Sequence, residues 1–295
     1  QVAKLRFFIA LIVDQKIKPS APNLGVRPMP NLETKVVAAN TLMPVPEIVP
    51  GNDLFTDELE GLKKELLHVR HEHFNARDPR RKRRWKDEDK RIREKIAQIL
   101  TDENRMEKDV AHGLAAWDPY NQNTHANYFD PSWMFGFKQD DALFDIVVAN
   151  PPYVRQEKIK DQKAALKPNY PRTFCGTADL YVYFYERALQ LLRPGGTFSF
   201  ITSNSFLNSA FGEGLRRLLA TGTTLHSLID FAETPVFSAV TEPAIVVGSF
   251  SPPRNNSLVT FRWNQKVRPE NISIQLEEAG FKISQSSLSE KVWLL

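Results

Sequence analysis

One stretch of the sequence decides the fold: FDIVVANPPY, residues 144–153. The run from Ile146 to Ala149 is apolar on both faces, which is typical of a parallel β-strand covered by helices. Two prolines end the strand, because proline lacks an N–H, has a fixed φ and pushes the residue before it towards extended geometry. Asn150 is therefore predicted to lie at the carboxyl end of a buried strand, where open α/β sheets bind their ligands.

The residues after this strand suit methyl transfer to an amide-like nitrogen. The exocyclic amine of adenine is a poor nucleophile, because its lone pair is delocalised into the ring. The side-chain oxygen of Asn150 and the carbonyl oxygen of Pro151 can each accept one of its N–H bonds, which favours a tetrahedral nitrogen that attacks a sulfonium methyl group. Pro152 helps to hold this turn rigid, and Tyr153 can stack on the base. A plain strand-to-loop turn is the alternative, since Asn-Pro is common in turns.

The tetrapeptide Asn150-Pro151-Pro152-Tyr153 resembles the catalytic motif of amino-methyltransferases. The sequence from Val2 to about Phe250, apart from one insertion, resembles the N6-adenine-specific DNA methyltransferases of restriction-modification and phage-defence systems (type IIG-like). This resemblance implies a Rossmann-like class I methyltransferase sheet of the α/β class, S-adenosyl-L-methionine as cofactor and double-stranded DNA as substrate. It also implies that Tyr153 and Phe237 sandwich a flipped-out adenine, whereas a core position for Phe237 is the alternative.

The resemblance further suggests where the cofactor is held. The candidate cofactor residues are Asn40, Thr41, Leu42, Asp179 and Tyr181. Asn40 follows a predicted strand at residues 34–39 and can both donate and accept, which matches the edge of the cofactor's adenine. Asp179 begins a helix predicted at residues 179–193, which Pro-Gly-Gly ends before a strand at residues 197–202. Asn40 as the cap of a turn and Asp179 as the helix N-cap are the alternatives.

Charged helical sequence interrupts the α/β pattern. Helices predicted at residues 54–74 and 87–113 flank a basic run, so we expect a helical hairpin with a basic tip. The candidate DNA contacts are Arg80, Arg81, Lys82, Arg83 and Arg84 at this tip, and Arg155 and Lys158 in a basic, mobile-looking loop after the motif. A solvated tip is the alternative. His71 and His73 do not share a helix face, which argues against a metal site.

The domain organisation follows from these patterns. Residues 1–50 and 114–250 are predicted to form the methyltransferase domain, 51–113 the helical insertion, and 251–295 a linker and the start of a target-recognition region. A helix at residues 2–15 is predicted to be largely buried. The aromatic-rich residues 117–137 are predicted to pack the chain back onto the sheet. No apolar run approaches the roughly 20 residues that span a bilayer, so no membrane partner is expected.

Composition narrows the class of protein. The 295 residues are 42% hydrophobic and carry a net charge of +4, which suits a globular protein able to meet nucleic acid. The lone cysteine, Cys175, excludes an intramolecular disulfide and fits a reducing cytoplasm. Phe174 precedes it, whereas the cysteine-dependent cytosine methyltransferases use a Pro-Cys pair, so Cys175 is not predicted to be a nucleophile.

The sequence departs from the family pattern in one respect. The family carries a glycine-containing cofactor loop and an acidic ribose-binding residue upstream of the helix that Val2 begins, and the first residue here is Gln. We therefore expect an amino-terminally truncated chain that lacks the first strands, depends on the missing amino-terminal segment of the same parent chain, and is inactive alone. Methylation of RNA or of a protein glutamine, which the same tetrapeptide serves, and a non-catalytic DNA-binding fragment remain the alternatives.

Overall fold

The computed structural model describes residues 2–26, 30–46, 48–49, 53–121, 123–135, 144–232, 234, 236–237, 242–263, 271–288 and 290–293. The chain divides into two compact units, Gln1–Gln139 and Asp140–Leu295. The helices of the first unit are α1 (Val2–Val13), α2 (Asp53–Asn75), α3 (Pro79–Asp102), α4 (Lys108–Ala116) and α5 (Pro131–Phe135). Those of the second are α6 (Lys163–Asn169), α7 (Tyr181–Leu191), α8 (Glu213–Gly222) and α9 (Ile272–Ala279). Within the described residues no helix is both long enough and apolar enough to cross a membrane.

An antiparallel pair of long helices, α2 and α3, forms the centre of the first unit. Their apolar side chains recur three or four residues apart, so each helix buries one stripe and exposes a charged face. The buried residues from the two helices are Leu59, Leu62, Leu66, Val69, Ile92, Ile96, Ala97 and Leu100. The predicted helical hairpin is confirmed, although its second helix starts earlier than expected. Asp78 caps α3 by accepting from the Arg80 N–H at 3.0 Å, and Pro79 occupies its first turn, so the basic run is helical.

The aromatic segment after α4 packs on these helices. Trp117, Trp133 and Met134 are buried in the same core as α2 and α3. The prediction that residues 117–137 pack onto the sheet is therefore wrong for the residues that the structure describes, and Phe137 lies outside them. The physical reason is that α2 and α3 are amphipathic and leave an apolar surface that must be covered. The aromatic side chains cover that surface, whereas the sequence pattern predicts that they cover the sheet.

Two further expectations for the first unit are wrong. Residues 34–39 do not form a strand: Leu32–Thr34 is a turn of 3₁₀ helix, and only Ala39 makes an isolated bridge, to Ala126. Helix α1 matches its predicted position but is not buried, since seven of its apolar side chains are 43–78% exposed. These exposed side chains are Val2, Leu5, Phe7, Ile9, Leu11, Ile12 and Val13. The local sequence pattern predicts a strand at residues 34–39 and a buried helix at α1. Strand pairing and burial also require partners from other parts of the chain, which a local pattern does not show.

The second unit is built on a sheet whose described strands run in the order β1-β2-β4-β3-β5-β6. The strands are β1 (Phe144–Ala149), β2 (Leu192–Ser203), β3 (Thr224–Asp230), β4 (Pro243–Ser249), β5 (Ser257–Arg262) and β6 (Phe281–Ser284). Parallel pairing joins β1 to β2 and β3 to β5, and β4 lies antiparallel between β2 and β3. The carboxyl ends of β1, β2, β3 and β5 therefore meet at one edge. The predicted α/β class is confirmed.

Strand β1 has the predicted position and parallel pairing, but it is not buried. It pairs only with β2 among the described strands, and Ile146 and Val148 are 64% and 73% exposed. The apolar run was correctly read as a strand with two apolar faces, yet burial needs neighbours that the described residues do not supply. Strand β2 approaches the start of β1 closely at Gly196. A Cβ at this position would lie 3.0 Å from the Phe144 carbonyl oxygen, so the close approach favours glycine.

The tail after residue 250 extends the same sheet. β5 pairs in parallel with β3, and β6 pairs antiparallel with β5. The boundary predicted at residue 251 is therefore wrong as a limit of the sheet, because Val259 and Thr260 enter the ladder and Leu258 is fully buried. A polar composition concealed this, since edge strands can be polar on one face and apolar on the other.

Candidate active site

The loop that follows β1 presents Asn150 to solvent. Asn150 is exposed, Pro151 is buried beneath it, and the side chain of Asn150 makes no hydrogen bond within the described residues. The next turn is tight, because Val154 donates its N–H to the Pro152 carbonyl at 3.0 Å. The amide of Asn150 thus stands free at the carboxyl edge of the sheet, on a backbone that two prolines hold in place.

Two aromatic rings face each other beside this loop. The ring centroids of Tyr153 and Phe237 are 6.2 Å apart, with their planes inclined at 54°. Both side chains are half-buried, and the Tyr153 hydroxyl donates to the Ile201 carbonyl on β2 at 3.4 Å. Burial raises the pKa of the Tyr153 phenol above its ordinary value, so the ring is neutral at physiological pH. The structure brings together the two residues predicted to sandwich the base, and their stacking role remains a prediction.

The basic segment after the motif is ordered, contrary to the expectation of a mobile loop. It forms a 3₁₀ helix at Gln156–Gln162 and then α6, and the buried carboxylate of Glu186 accepts from the Thr173 N–H and hydroxyl at 2.9 and 2.7 Å. Buried Ile159 and Leu166 fix its inner face. Arg155 and Lys158, the predicted DNA contacts, are exposed next to the motif.

Asp179 connects the motif loop to helix α7. Its carboxylate accepts from the Gln156 backbone N–H at 2.9 Å, and the Leu180 N–H donates to the Val154 carbonyl at 3.0 Å. Asp179 is not the residue that caps α7, because Leu180 holds that position. Tyr181 is 1% exposed, and its contact with a cofactor remains a prediction. The cofactor role of Asp179 remains a prediction.

Polar residues also gather where the neighbouring strands end. Asn204 follows β2, Asp230 ends β3 and Arg262 ends β5. The Asn204 amide donates to Asp230 Oδ1 at 2.9 Å, and Arg262 Nε lies 3.6 Å from Asp230 Oδ2. The sequence analysis missed these residues, although polar residues at the carboxyl ends of adjacent strands are a signal that would have found them.

The other predicted cofactor residues lie in the first unit. The Asn40 side-chain oxygen accepts from the Leu42 N–H at 3.3 Å, which is the turn interaction considered as the alternative. Thr41 is half-buried, and Leu42 is 2% exposed. Contact between these three residues and a cofactor remains a prediction.

The predicted basic contacts of the insertion lie on the first turns of α3. Arg80, Arg81, Arg83 and Arg84 are exposed and Lys82 is half-buried. An open cleft of about 530 Å³ is lined by Arg80, Arg83, Arg84, Asp87, Glu88 and Arg91. Arg84 also lies over the ring of Trp85, at 5.2 Å from its centroid. Trp85 packs partly against the helical core, so its ring is less open to stacking than the sequence suggested.

The sheet of the second unit is mixed α/β, carries the Asn-Pro-Pro-Tyr loop at its carboxyl edge and places a second aromatic ring opposite that loop. Residues 1–237 match the family described as Eco57I restriction-modification methylase. The chain belongs to this family.

Individual relatives match a shorter part of the chain. The type II methyltransferase M.XhoI of Xanthomonas vasicola is 37% identical over 119 residues, which cover 40% of this chain and 22% of that protein. M.PaeR7I of Pseudomonas aeruginosa is 37% identical over 106 residues, which cover 35% of this chain and 18% of that protein. The chain thus matches about a fifth of the length of these relatives. The type IIG restriction endonuclease BpuSI is a structural neighbour with a TM-score of 0.40, 15% identity and coverage of 82% of this chain and 32% of that one.

Proposed function

We propose that this chain is the catalytic part of a site-specific DNA methyltransferase of a restriction-modification system, which acts in the cytoplasm on the N6 amine of a flipped-out adenine. One observation carries the proposal: the free amide of Asn150 stands beside two aromatic rings whose centroids are 6.2 Å apart. At this separation and with a 54° tilt the two rings are in contact with each other. Since bases stack at roughly 3.4 Å, a base between them needs the rings to turn towards parallel and to lie roughly 7 Å apart.

The residues of the site suit the transfer of a methyl group. S-adenosylmethionine supplies an electrophilic methyl group when bound, and the site offers it neutral amide oxygens and rings rather than a nucleophile that would itself be methylated. Asn150 Oδ1 and the Pro151 carbonyl each accept one N–H of the target amine, which localises the nitrogen lone pair. A bond then forms between N6 and the methyl carbon as the carbon–sulfur bond breaks. The displaced N6 proton leaves to solvent.

Methyl transfer from radiolabelled S-adenosylmethionine, measured with a polypeptide that extends amino-terminally beyond residue 1, tests the proposal directly. The substrates are duplex DNA, the same duplex with its adenines already N6-methylated, RNA and a glutamine-containing protein. We expect label in the first substrate alone, recovered as N6-methyladenine by mass spectrometry. Label in cytosine, RNA or protein would contradict the proposal.

We further propose that an amino-terminal segment of the same polypeptide covers α1 and pairs with β1. The support is physical: α1 exposes seven large apolar side chains, and β1 pairs along one edge only among the described strands and exposes Ile146 and Val148. Exposed apolar surface of this extent is unfavourable and marks a contact site. The segment would provide the glycine-containing loop, and cofactor contacts by Asn40, Thr41, Leu42, Asp179 and Tyr181 are proposed from the family resemblance alone.

Calorimetry of cofactor binding tests this segment. We expect no measurable S-adenosylmethionine binding by residues 1–295 alone and a measurable Kd for the longer polypeptide, because the cofactor loop precedes α1. Hydrogen exchange should show protection of α1 amides only in the longer polypeptide. Circular dichroism of both proteins controls for folding. Equal affinity in the two proteins would refute the proposal.

The cleft on α3 is proposed as a phosphate contact. The arginines on the first turns of α3 are repelled by the positive end of the helix dipole and by one another. This cluster of charges is therefore electrostatically unfavourable until a polyanion approaches. Phosphates between Arg80, Arg83 and Arg84 would offset both terms, and Arg155 and Lys158 would add contacts beside the motif.

Charge removal on α3 is expected to weaken DNA binding and its salt dependence. For Arg80→Gln/Arg83→Gln/Arg84→Gln, the slope of log K against log salt should fall by about one for each phosphate that the variant no longer neutralises. The matched control, Lys64→Gln/Lys90→Gln/Lys108→Gln, removes the same charge from exposed positions outside the cleft. Fluorescence anisotropy of labelled duplex at several salt concentrations measures both. Identical slopes for the two triple variants would exclude the cleft as a contact.

A further inference from the structure

The connection between β3 and β4 carries Phe237 and is held at both ends by one residue, Asn204. The Asn204 backbone N–H donates to the Glu242 carbonyl at 2.7 Å, and its side-chain amide donates to Asp230 Oδ1 at 2.9 Å. Asn204 directly follows β2, the strand to whose Ile201 carbonyl Tyr153 donates. The ends of the connection are thereby tied to the strand that neighbours the motif.

The first turn of the connection depends on the Asp230 side chain. Asp230 is 5% exposed, and the same Oδ1 accepts from the Ala232 N–H at 3.0 Å. Ala232 has a φ of 45°, in the left-handed region that residues with a Cβ rarely adopt. The Asp230 carbonyl accepts from the Trp263 N–H at 2.7 Å, so the turn is also tied to the end of β5.

Packing and hydrogen bonds carry this turn forward to Phe237. Phe231 and Trp263 are buried in one cluster, and Val236 packs against it. The Thr234 N–H donates to the Phe231 carbonyl at 2.9 Å, and the Val236 N–H donates to the Thr234 carbonyl at 2.8 Å. The next residue, Phe237, leaves the cluster and faces Tyr153. A buried carboxylate is costly unless it is hydrogen-bonded, and its described hydrogen bonds act on the turn and on Asn204.

We propose that Asn204 and Asp230 form a clamp that positions Phe237 against Tyr153 and so sets the separation and tilt of the ring pair proposed to hold the base. This inference rests on the proposed function, because it assigns the clamp its purpose through the base. Asn204 and Asp230 are positioning residues: they act through Phe237 and do not touch the reacting atoms. The clamp itself is a property of the folded chain and is testable without turnover.

Hydrogen exchange tests the clamp independently of catalysis. In Asp230→Ala and Asn204→Ala, the amides of Ala232, Thr234 and Val236 should exchange at least tenfold faster, while the β3–β4 ladder keeps its protection. Arg217→Ala is the control, because Arg217 is exposed on α8 and pairs with Glu213 and Glu290 rather than with either clamp residue, so exchange should not change. Asp230→Asn keeps an acceptor oxygen and should retain most of the protection. Unchanged exchange in both alanine variants would overturn the clamp.

A double-mutant cycle in the longer polypeptide tests its purpose. Phe237→Ala should raise the KM for target DNA about 5- to 100-fold, as expected for removal of one stacking partner. Asp230→Ala should raise this KM about tenfold with little change in kcat. The double variant should match Phe237→Ala alone, because the clamp then has nothing left to position. Additive effects would refute positioning through Phe237.

The two experiments separate the inference from the proposed function. Faster exchange in the alanine variants, together with no methyl transfer to DNA by the unmutated longer polypeptide, would leave the clamp standing and refute the proposed function. Methyl transfer with unchanged exchange would do the reverse. Should Asp230→Ala fail to fold, Asn204→Ala supplies both readouts, with Asp230→Asn as the variant that should stay close to wild type.

Discussion

Replacing Asn150 with alanine is expected to lower the kcat of methyl transfer about 100- to 1,000-fold, the usual effect of removing one preorganised polar group that acts in the transition state. The Asn150 amide is exposed and unpaired within the described residues, so its removal leaves no partner group stranded. The KM for DNA should change little, because Tyr153, Phe237 and the surface cations remain. Single-turnover transfer of radiolabelled methyl groups to a duplex measures the rate.

Two companion variants sharpen this test. Asn169→Ala removes the same amide from α6, where it donates to the Ala165 carbonyl of its own helix, and should leave the rate unchanged. Asn150→Asp keeps an acceptor oxygen and should retain more activity than Asn150→Ala. An Asn150→Ala rate within threefold of wild type would remove Asn150 from the mechanism.

Replacing Asp89 with alanine is expected to destabilise the first unit by about 3–5 kcal/mol, because two buried cations then lose their counter-ion. Asp89 is fully buried and accepts from Arg70 Nε at 2.8 Å, Arg93 Nε at 2.6 Å and the Tyr120 hydroxyl at 3.2 Å. Both arginines are also buried. They donate to backbone carbonyls that follow α3 in the chain, Arg70 to Met134 and Arg93 to Trp117. Urea denaturation followed by circular dichroism measures the change.

The neighbouring residue provides the control for Asp89. Glu88 pairs with Arg91 at 2.7 Å, but both side chains are partly exposed, so Glu88→Ala should cost less than about 1 kcal/mol. Asp89→Asn should fall between the two, because one amide oxygen still accepts while its NH₂ group faces a donor. Equal destabilisation by Asp89→Ala and Glu88→Ala would show that burial does not govern this ion pair.

The sequence predicted the elements whose signals are local. Strand β1, helix α7 and the following strand were read from an apolar run, a helical period and the Pro-Gly-Gly stop, although β2 starts already at Leu192. The same reading failed where long-range partners decide the outcome. Residues 34–39 have the composition of a strand but pair only through the isolated bridge at Ala39. Helix α1 has the composition of a core helix, but its large apolar side chains are mostly exposed.

The candidate site was predictable to the extent that a motif carries it. Asn150 and Tyr153 came from the tetrapeptide, and Phe237 from the family resemblance, and the structure places the two rings together. Asp230 and Asn204 escaped notice because neither has an unusual local sequence. They become connected only when β2 and β3 end at the same edge, with β4 between them.

The edge of β1 that pairs with no described strand also bears on how the protein is synthesised. Translation releases β1 well before β2, its pairing partner in the described sheet, so the strand waits with both backbone edges unsatisfied. An apolar strand with unpaired backbone groups binds other nascent chains or chaperones. We expect the yield from cell-free translation of this chain to rise sharply when a holdase is added.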